Sequence, residues 1–267
     1  MMKDPTTKTD SGLKLLKVGK IVASIMLIMG ALSFYISVFY ASSILAFIGL
    51  GLTFWGSLLL YIAPSRYIKL ELLNAVAVQN LTNIEKVIAN MELNEKGIYL
   101  PPKYLKDFES SLIFIPSKTN YTLPEPEEID EEKLYSKNPE GVFLTPPGLA
   151  LLKLFEKELG TSFLRADLNY IQNYMPKLFI EDLEISENVE IDIEDNIVTI
   201  EITDHIFSEI CWETRKMERT HKVIGCPLCS AIACALAKAT GKPIIMLDEE
   251  INEGEKVTKI KYQILEG

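Results

Sequence analysis

The segment Ile21–Ala63 reads IVASIMLIMGALSFYISVFYASSILAFIGLGLTFWGSLLLYIA, and its 43 residues include no Asp, Glu, Lys, Arg or His. As one helix rising about 1.5 Å per residue it would be about 65 Å long, roughly twice a hydrocarbon core of about 30 Å. One helix cannot use that length in a bilayer, but two can. The natural break is Tyr40-Ala41-Ser42-Ser43, the most polar patch of the run. Spans are therefore expected at about Ile21–Phe39 and Ile44–Ile62, with Pro64 closing the second. A cleaved signal peptide would have a core of only about 7–15 apolar residues followed by soluble protein. Here the apolar character continues for a second full span.

Working outward, Lys14, Lys17 and Lys20 precede the first span, Arg66 and Lys69 follow the second, and the turn between the spans carries no charge. Positive residues stay on the cytoplasmic side. A multi-pass protein of the cell membrane with two spans and both termini in the cytoplasm is expected. The charge divides the same way. Residues 1–66 hold six Lys/Arg and two Asp/Glu, a net of +4, and the remainder holds 21 basic and 35 acidic residues, a net of −14. So acidic a domain is unsuited to neutralising phosphates, so no nucleic-acid partner is expected, and an anionic membrane surface would repel it.

After the hairpin, Ser65 to about Leu93 reads as a helix, because Leu72, Leu73, Val76, Leu81, Ile84, Val87, Ile88 and Met91 recur mostly at spacings of three and four. It is expected to leave the membrane as a stalk whose apolar stripe needs a partner, either the C-terminal domain or a second copy of the chain in a homodimer. Lys96–Pro102 and Ser111–Pro116 look like short strands ending at prolines, and an acidic, proline-rich linker with the run Glu125 to Glu132 follows. From Gly148 the pattern strengthens. Leu149–Leu159 is a helix stopped by Gly160, and Asp167 to Phe179 is a second with a break at Pro176. Val189–Ile202 alternates around Glu194-Asp195-Asn196 as a β-hairpin. Helices are expected over Asp204–Lys222 and Pro227–Thr240, then strands over Lys242–Asp248 and Lys256–Leu265. The order is that of an α+β fold with a mainly antiparallel sheet. The expected organisation is a tail over 1–20, a transmembrane hairpin over 21–63, a stalk over 64–95, strands and linker over 96–147, and a cytoplasmic α+β domain over 148–267.

Chemistry concentrates in one place. All four cysteines lie between Cys211 and Cys234, with His221 among them, and Gly225-Cys226-Pro227-Leu228-Cys229 opens a helix. Three readings compete. A Cys-x-x-Cys at a helix N-terminus favours a thiolate and hence redox chemistry, although no thioredoxin-like βαβ pattern surrounds it. Cys211, His221, Cys226 and Cys229 could supply four ligands to zinc or an iron–sulfur cluster. At about 100° per residue Cys229 and Cys234 diverge by about 140°, so they do not share one site. The structural reading, which the composition favours, treats the cysteines as small buried hydrophobes on a helix with a stripe of Leu228, Ile232 and Leu236. Because the other side of this helix is Ala, Ser and Cys, something must approach it closely. The preceding helix carries Arg215, Lys216, Arg219 and Lys222, a candidate site for an anionic group. His205 has no evident partner. Walker, Gly-x-Gly-x-x-Gly, His-Glu-x-x-His and Gly-x-Ser-x-Gly patterns are absent.

The segments Tyr99-Leu100-Pro101-Pro102-Lys103-Tyr104-Leu105, Leu144-Thr145-Pro146-Pro147-Gly148-Leu149 and Gly225 to Ala235 resemble motifs of a family of uncharacterised archaeal membrane proteins with two spans. The likeness covers nearly the whole chain and implies no activity. The last part, with its hairpin, two helices and final hairpin, is similar in element order to the 4-vinyl reductase domain, which implies small-molecule sensing or scaffolding. The expected function is a non-enzymatic, membrane-tethered scaffold or ligand sensor with a protein partner. The alternative is a membrane-bound thiol redox or metal protein using Cys226 and Cys229.

Overall fold

The computed structural model describes residues 9–62, 70–105, 111–120, 122–126, 129, 133–252, 254 and 256–266. Pro64, Arg66, Lys69 and most of the acidic run Glu125 to Glu132 lie outside the described residues, as do the side chains of Lys14, Lys17 and Lys20. The chain divides into two compact units, Met1–Lys69 and Leu70–Gly267.

The first unit is a helical hairpin of α1 (Thr9–Tyr40) and α2 (Ser43–Ile62), turning at the polar break expected from the sequence. Ala41 takes a positive φ of 45°, and Ser37 Oγ donates to Ser42 O at 3.0 Å. The helices approach at their glycines. A Cβ on Gly49 would lie 2.9 Å from Gly30 O. Small residues at such a crossing let backbones touch where no hydrophobic force drives helices together. Large apolar side chains, among them Ile28, Phe39, Phe47 and Tyr61, point outward. Among the described residues three segments are long and apolar enough to cross a membrane, namely Ile21–Tyr40, Ser43–Tyr61 and Glu218–Thr240. The third is 83% buried in the second unit and is broken at Gly225 into two helices.

In the second unit α3 (Leu70–Asn90) precedes β1 (Ile98–Leu100), β2 (Leu112–Pro116), β3 (Tyr135–Lys137) and β4 (Glu140–Leu144). Then follow α4 (Leu149–Leu159), α5 (Leu168–Lys177), β5 (Asn188–Glu194), β6 (Ile197–Thr203), α6 (Ser208–Arg215), α7 (Glu218–Ile224), α8 (Pro227–Thr240), β7 (Ile244–Asn252) and β8 (Val257–Ile264). Among the described residues the strands form one eight-stranded sheet in the order β3-β4-β2-β1-β7-β8-β6-β5, antiparallel at every pairing.

Two expectations are corrected here. The segment 96–147, read as short strands and linker, supplies half of the sheet, and its β1 joins β7 through Ile98↔Ile245 and Tyr99↔Ile244. The boundary expected at 148 therefore falls inside one sheet. Strands β3 and β4 escaped notice because Pro139 and Gly141 interrupt any alternation. Of the two partners expected for the stripe of α3, the C-terminal domain supplies one: Leu81 and Ile88 are buried, and α3 packs against α6 and α7 of its own chain. The helix expected over Asp204–Lys222 is also divided, into α6 and α7 at Lys216-Met217.

Both faces of the β1–β2–β4 part are covered. Tyr99, Ile113, Ile115 and Val142 face the main core, while Ile98, Leu100, Phe114 and Phe143 form a smaller one on the other side. In the main core α8 is buried from Leu228 to Lys238. The close approach demanded by its small residues comes from the start of α4. A Cβ at Gly148 would lie 2.1 Å from Ala231 N and 2.5 Å from Pro227 O, and Gly148 N donates to Ser230 Oγ at 3.2 Å. Backbone cannot yield as a flexible side chain would. Gly148→Ala is expected to destabilise the second unit by at least about 1–3 kcal/mol, read as a lower thermal midpoint of the full chain in detergent. An unchanged midpoint would mean that α4 and α8 do not pack this closely.

Candidate functional site

Gly225 creates the site by breaking the chain between two helices. At φ 68°, a region costly to side chains with a Cβ, it ends α7 and turns the backbone into α8. A Cβ there would also press on Met246 Cε at 2.8 Å. Cys226 thereby becomes the N-cap of α8, its sulfur accepting from Cys229 N at 3.4 Å, with Pro227 in the first turn, where no N–H is needed. Two buried tyrosines hold the junction from the sheet side. Tyr99 Oη donates to Ile224 O at 2.6 Å, and Tyr262 Oη to Cys229 O at 2.9 Å.

Three thiols converge there. Cys211 Sγ, from α6, lies 2.8 Å from Cys226 Sγ, and Cys229 Sγ lies 3.3 Å from it. All four cysteines are free and buried. Burial pushes the Cys226 thiol up, but hydrogen bonds from the Cys211 and Cys229 thiols and the Cys229 N–H, with His205 adding to them, outweigh it, so Cys226 sits well below the ordinary thiol range. Its two neighbours are raised, first by their hydrogen bonds to Cys226 and then by burial. Cys234 stands apart, as its helical angle requires. Burial raises it to about 12, with Ser111 as its hydrogen-bond partner.

Beside the thiols lies Glu249, which the sequence reading missed. The ligand atoms of Cys211, Cys226 and Glu249 are within 4.8 Å of one another. A bulge between Met246 and Asp248 explains its placement. Alternation from Ile244 and Met246 would turn Asp248 inward; the extra residue shifts the parity, so Glu249 and Ile251 face the core and Asp248 faces out. No local pattern announces such a bulge. Burial first, and Cys226 second, raise the Glu249 carboxyl above its ordinary range. His221 reaches the cluster only through this residue, its Nε2 3.1 Å from Glu249 Oε2. Among the described residues neither carboxylate oxygen, nor that nitrogen, completes a hydrogen bond. A buried polar atom left so costs about 1–3 kcal/mol, more if charged.

Of the four basic residues expected to hold an anion, Arg215 and Lys216 line one surface cavity, and neither Arg219 nor Lys222 lines it. Arg219 Nη1 donates to Ala89 O at 3.0 Å, at the C-terminal end of α3. Lys216 pairs with Glu213 at 2.6 Å and lies over Trp212. Arg215 borders that cavity with Trp212 and Ile251, and Lys222 joins none of these contacts. The two pairs part because α6 and α7 are two helices with different axes. His205, without evident partner in the sequence, meets Thr258 Oγ1 through Nε2 at 2.9 Å; burial lowers its pKa, and its Nδ1 is unpaired among the described residues.

The Glu249 shift has a sign that can be tested. A carboxyl raised above its ordinary 4.5 stabilises the fold fully below about pH 4.5, and that contribution is lost as pH rises through the raised value. Glu249→Gln is neutral at every pH. In chelator its thermal midpoint should gain on that of the unmodified chain as pH rises from about 5 to 8. A difference that does not vary with pH would refute the buried, ionisable placement.

No curated protein and no solved structure matches this chain. The family model described as "Domain of unknown function (DUF7982)" matches residues 18–263, from the hairpin to the last strand, and the chain belongs to that family.

Proposed function

We propose that this chain is a membrane-tethered sensor. Two spans hold it in the cell membrane with both termini in the cytoplasm, and its acidic α+β domain responds to events at the buried Cys226 centre. What carries the reading is the way α3, the first helix after the hairpin, is bonded to the helices that supply the centre. Asn74 Nδ2 donates to Glu209 Oε2 at 2.7 Å on α6, the helix of Cys211. Glu85 Oε2 accepts from Thr220 N at 2.6 Å on α7, the helix of His221. Arg219 of α7 in turn satisfies the Ala89 carbonyl. The last two satisfy backbone groups at helix ends, which lack partners of their own, and the first ties two side chains, so a shift of α6 or α7 is transmitted to α3.

Burial favours sensing over turnover. A thiol oxidoreductase needs its thiolate within reach of a substrate, but the three clustered sulfurs are buried. The neighbouring cavity of about 470 Å³, bordered by His205, Trp212 and Lys256, is lined by no cysteine among the described residues. A third crossing by Glu218–Thr240 would require pulling the core helix α8 out of the domain, which supports two spans.

Hydrogen exchange of the full chain in lipid nanodiscs tests the reading. Cys226→Ser should speed exchange in residues 70–90 as well as in α6 and α7. Cys234→Ser, a change in the same helix outside the cluster, should leave 70–90 protected. Unaltered protection of α3 in Cys226→Ser, or equal loosening in both variants, would reduce the cluster to core packing.

A further inference from the structure

We infer that Cys211, Cys226, Cys229 and Glu249 form a binding site for one thiophilic divalent ion of the zinc class, which names the signal for the sensing centre and rests on that reading. Four observations converge. Cys226 and Cys229 have the two-residue spacing of a metal-binding Cys-x-x-Cys, with the Cys229 N–H directed at the first sulfur. Cys211 arrives from another helix at 2.8 Å from Cys226. The ligand atoms of Cys211, Cys226 and Glu249 span no more than 4.8 Å, whereas metal–ligand bonds of about 2.0–2.3 Å put tetrahedral ligand atoms about 3.5–4 Å apart. Independently of the Cys-x-x-Cys spacing, Glu249 is buried, and among the described residues its carboxyl completes no hydrogen bond, His221 Nε2 standing 3.1 Å from Oε2 as an ion-pair neighbour. A cation among these atoms would give the buried carboxyl the partner that its present geometry does not complete.

A Cys211–Cys226 disulfide would leave both Glu249 oxygens as they are, so oxidation alone does not explain the arrangement. Three sulfurs select against magnesium and calcium, which prefer oxygen ligands. The ion displaces the protons of the Cys211 and Cys229 thiols to solvent. His221, 3.1 Å from the carboxylate, is then its outer partner, orienting the oxygen that faces the metal. That role differs from the direct ligand expected from the sequence.

The test is titration of the chelator-treated, reduced full chain in detergent with Co²⁺, followed by Zn²⁺. About one Co²⁺ per chain is expected, with thiolate-to-cobalt charge transfer and the intense visible bands of a tetrahedral site, both abolished when Zn²⁺ displaces it. Cys211→Ser and Glu249→Gln should each weaken binding at least about tenfold, and His221→Ala by a smaller factor. Cys234→Ser should bind as the unmodified chain does, and circular dichroism identifies variants that retain the fold. Absence of cobalt bands in the unmodified chain, or binding indifferent to both Cys211→Ser and Glu249→Gln, overturns the site. The exchange experiment separates the two readings. An α3 response without cobalt binding removes the metal and leaves sensing, whereas cobalt binding without an α3 response upholds the metal site and removes sensing.

Discussion

Protein covers every side of α8, and that constraint governs the second unit. A helix enclosed this fully carries large buried residues at Leu228, Ile232 and Leu236 and must be small where another backbone crosses it. Gly148 is that crossing, with no space for a single methyl group. Because interiors are packed as densely as crystals, fixing one side of α8 fixes the other. The helix N-terminus then has one position, with Tyr99 and Tyr262 holding the carbonyls on either side of the bend.

The chemistry follows from that position. A cysteine at the N-cap of a buried helix meets unpaired N–H groups and the positive end of the helix dipole, and here two further thiols lie within hydrogen-bond distance of it. The Cys226 sulfur lies in the same dry pocket as the Glu249 carboxyl. Proteins seldom bury such groups together without compensation, and this contrast with the well-satisfied Lys238–Glu156 pair on the other end of α8 sets the Cys226 region apart from ordinary core. Glu156 also accepts from Phe163 N and Ser162 Oγ. Glu249 has no comparable set of donors.

Helix α3 is the first element after the hairpin, and two of its bonds to α6 and α7 use side chains to satisfy helix ends. Such contacts have a definite geometry and are lost when the ends move. The stripe that would invite a second copy of the chain is thus used within it at Leu81 and Ile88, while Val76 on the same helix stays exposed.

The sequence by itself determined the hairpin, its turn, most of the helices after residue 148 and the antiparallel hairpins at the end, because composition and periodicity are local and suffice for such elements. Gly160 and Gly241 end their helices with positive φ, as their positions predict. It also marked Cys211, Cys226 and Cys229 as a group and separated Cys234 from Cys229 by angle alone. Only tertiary structure decided the rest. Strands β3 and β4 are held by pairing with distant β2 rather than by a pattern of their own. The partner of α3 lies more than a hundred residues away, and Arg219 and Lys222 are separated from Arg215 and Lys216 because α6 and α7 part at Met217. Glu249 entered the core through a bulge, a one-residue change of register that reverses which side chains face inward and leaves no trace in hydrophobic spacing.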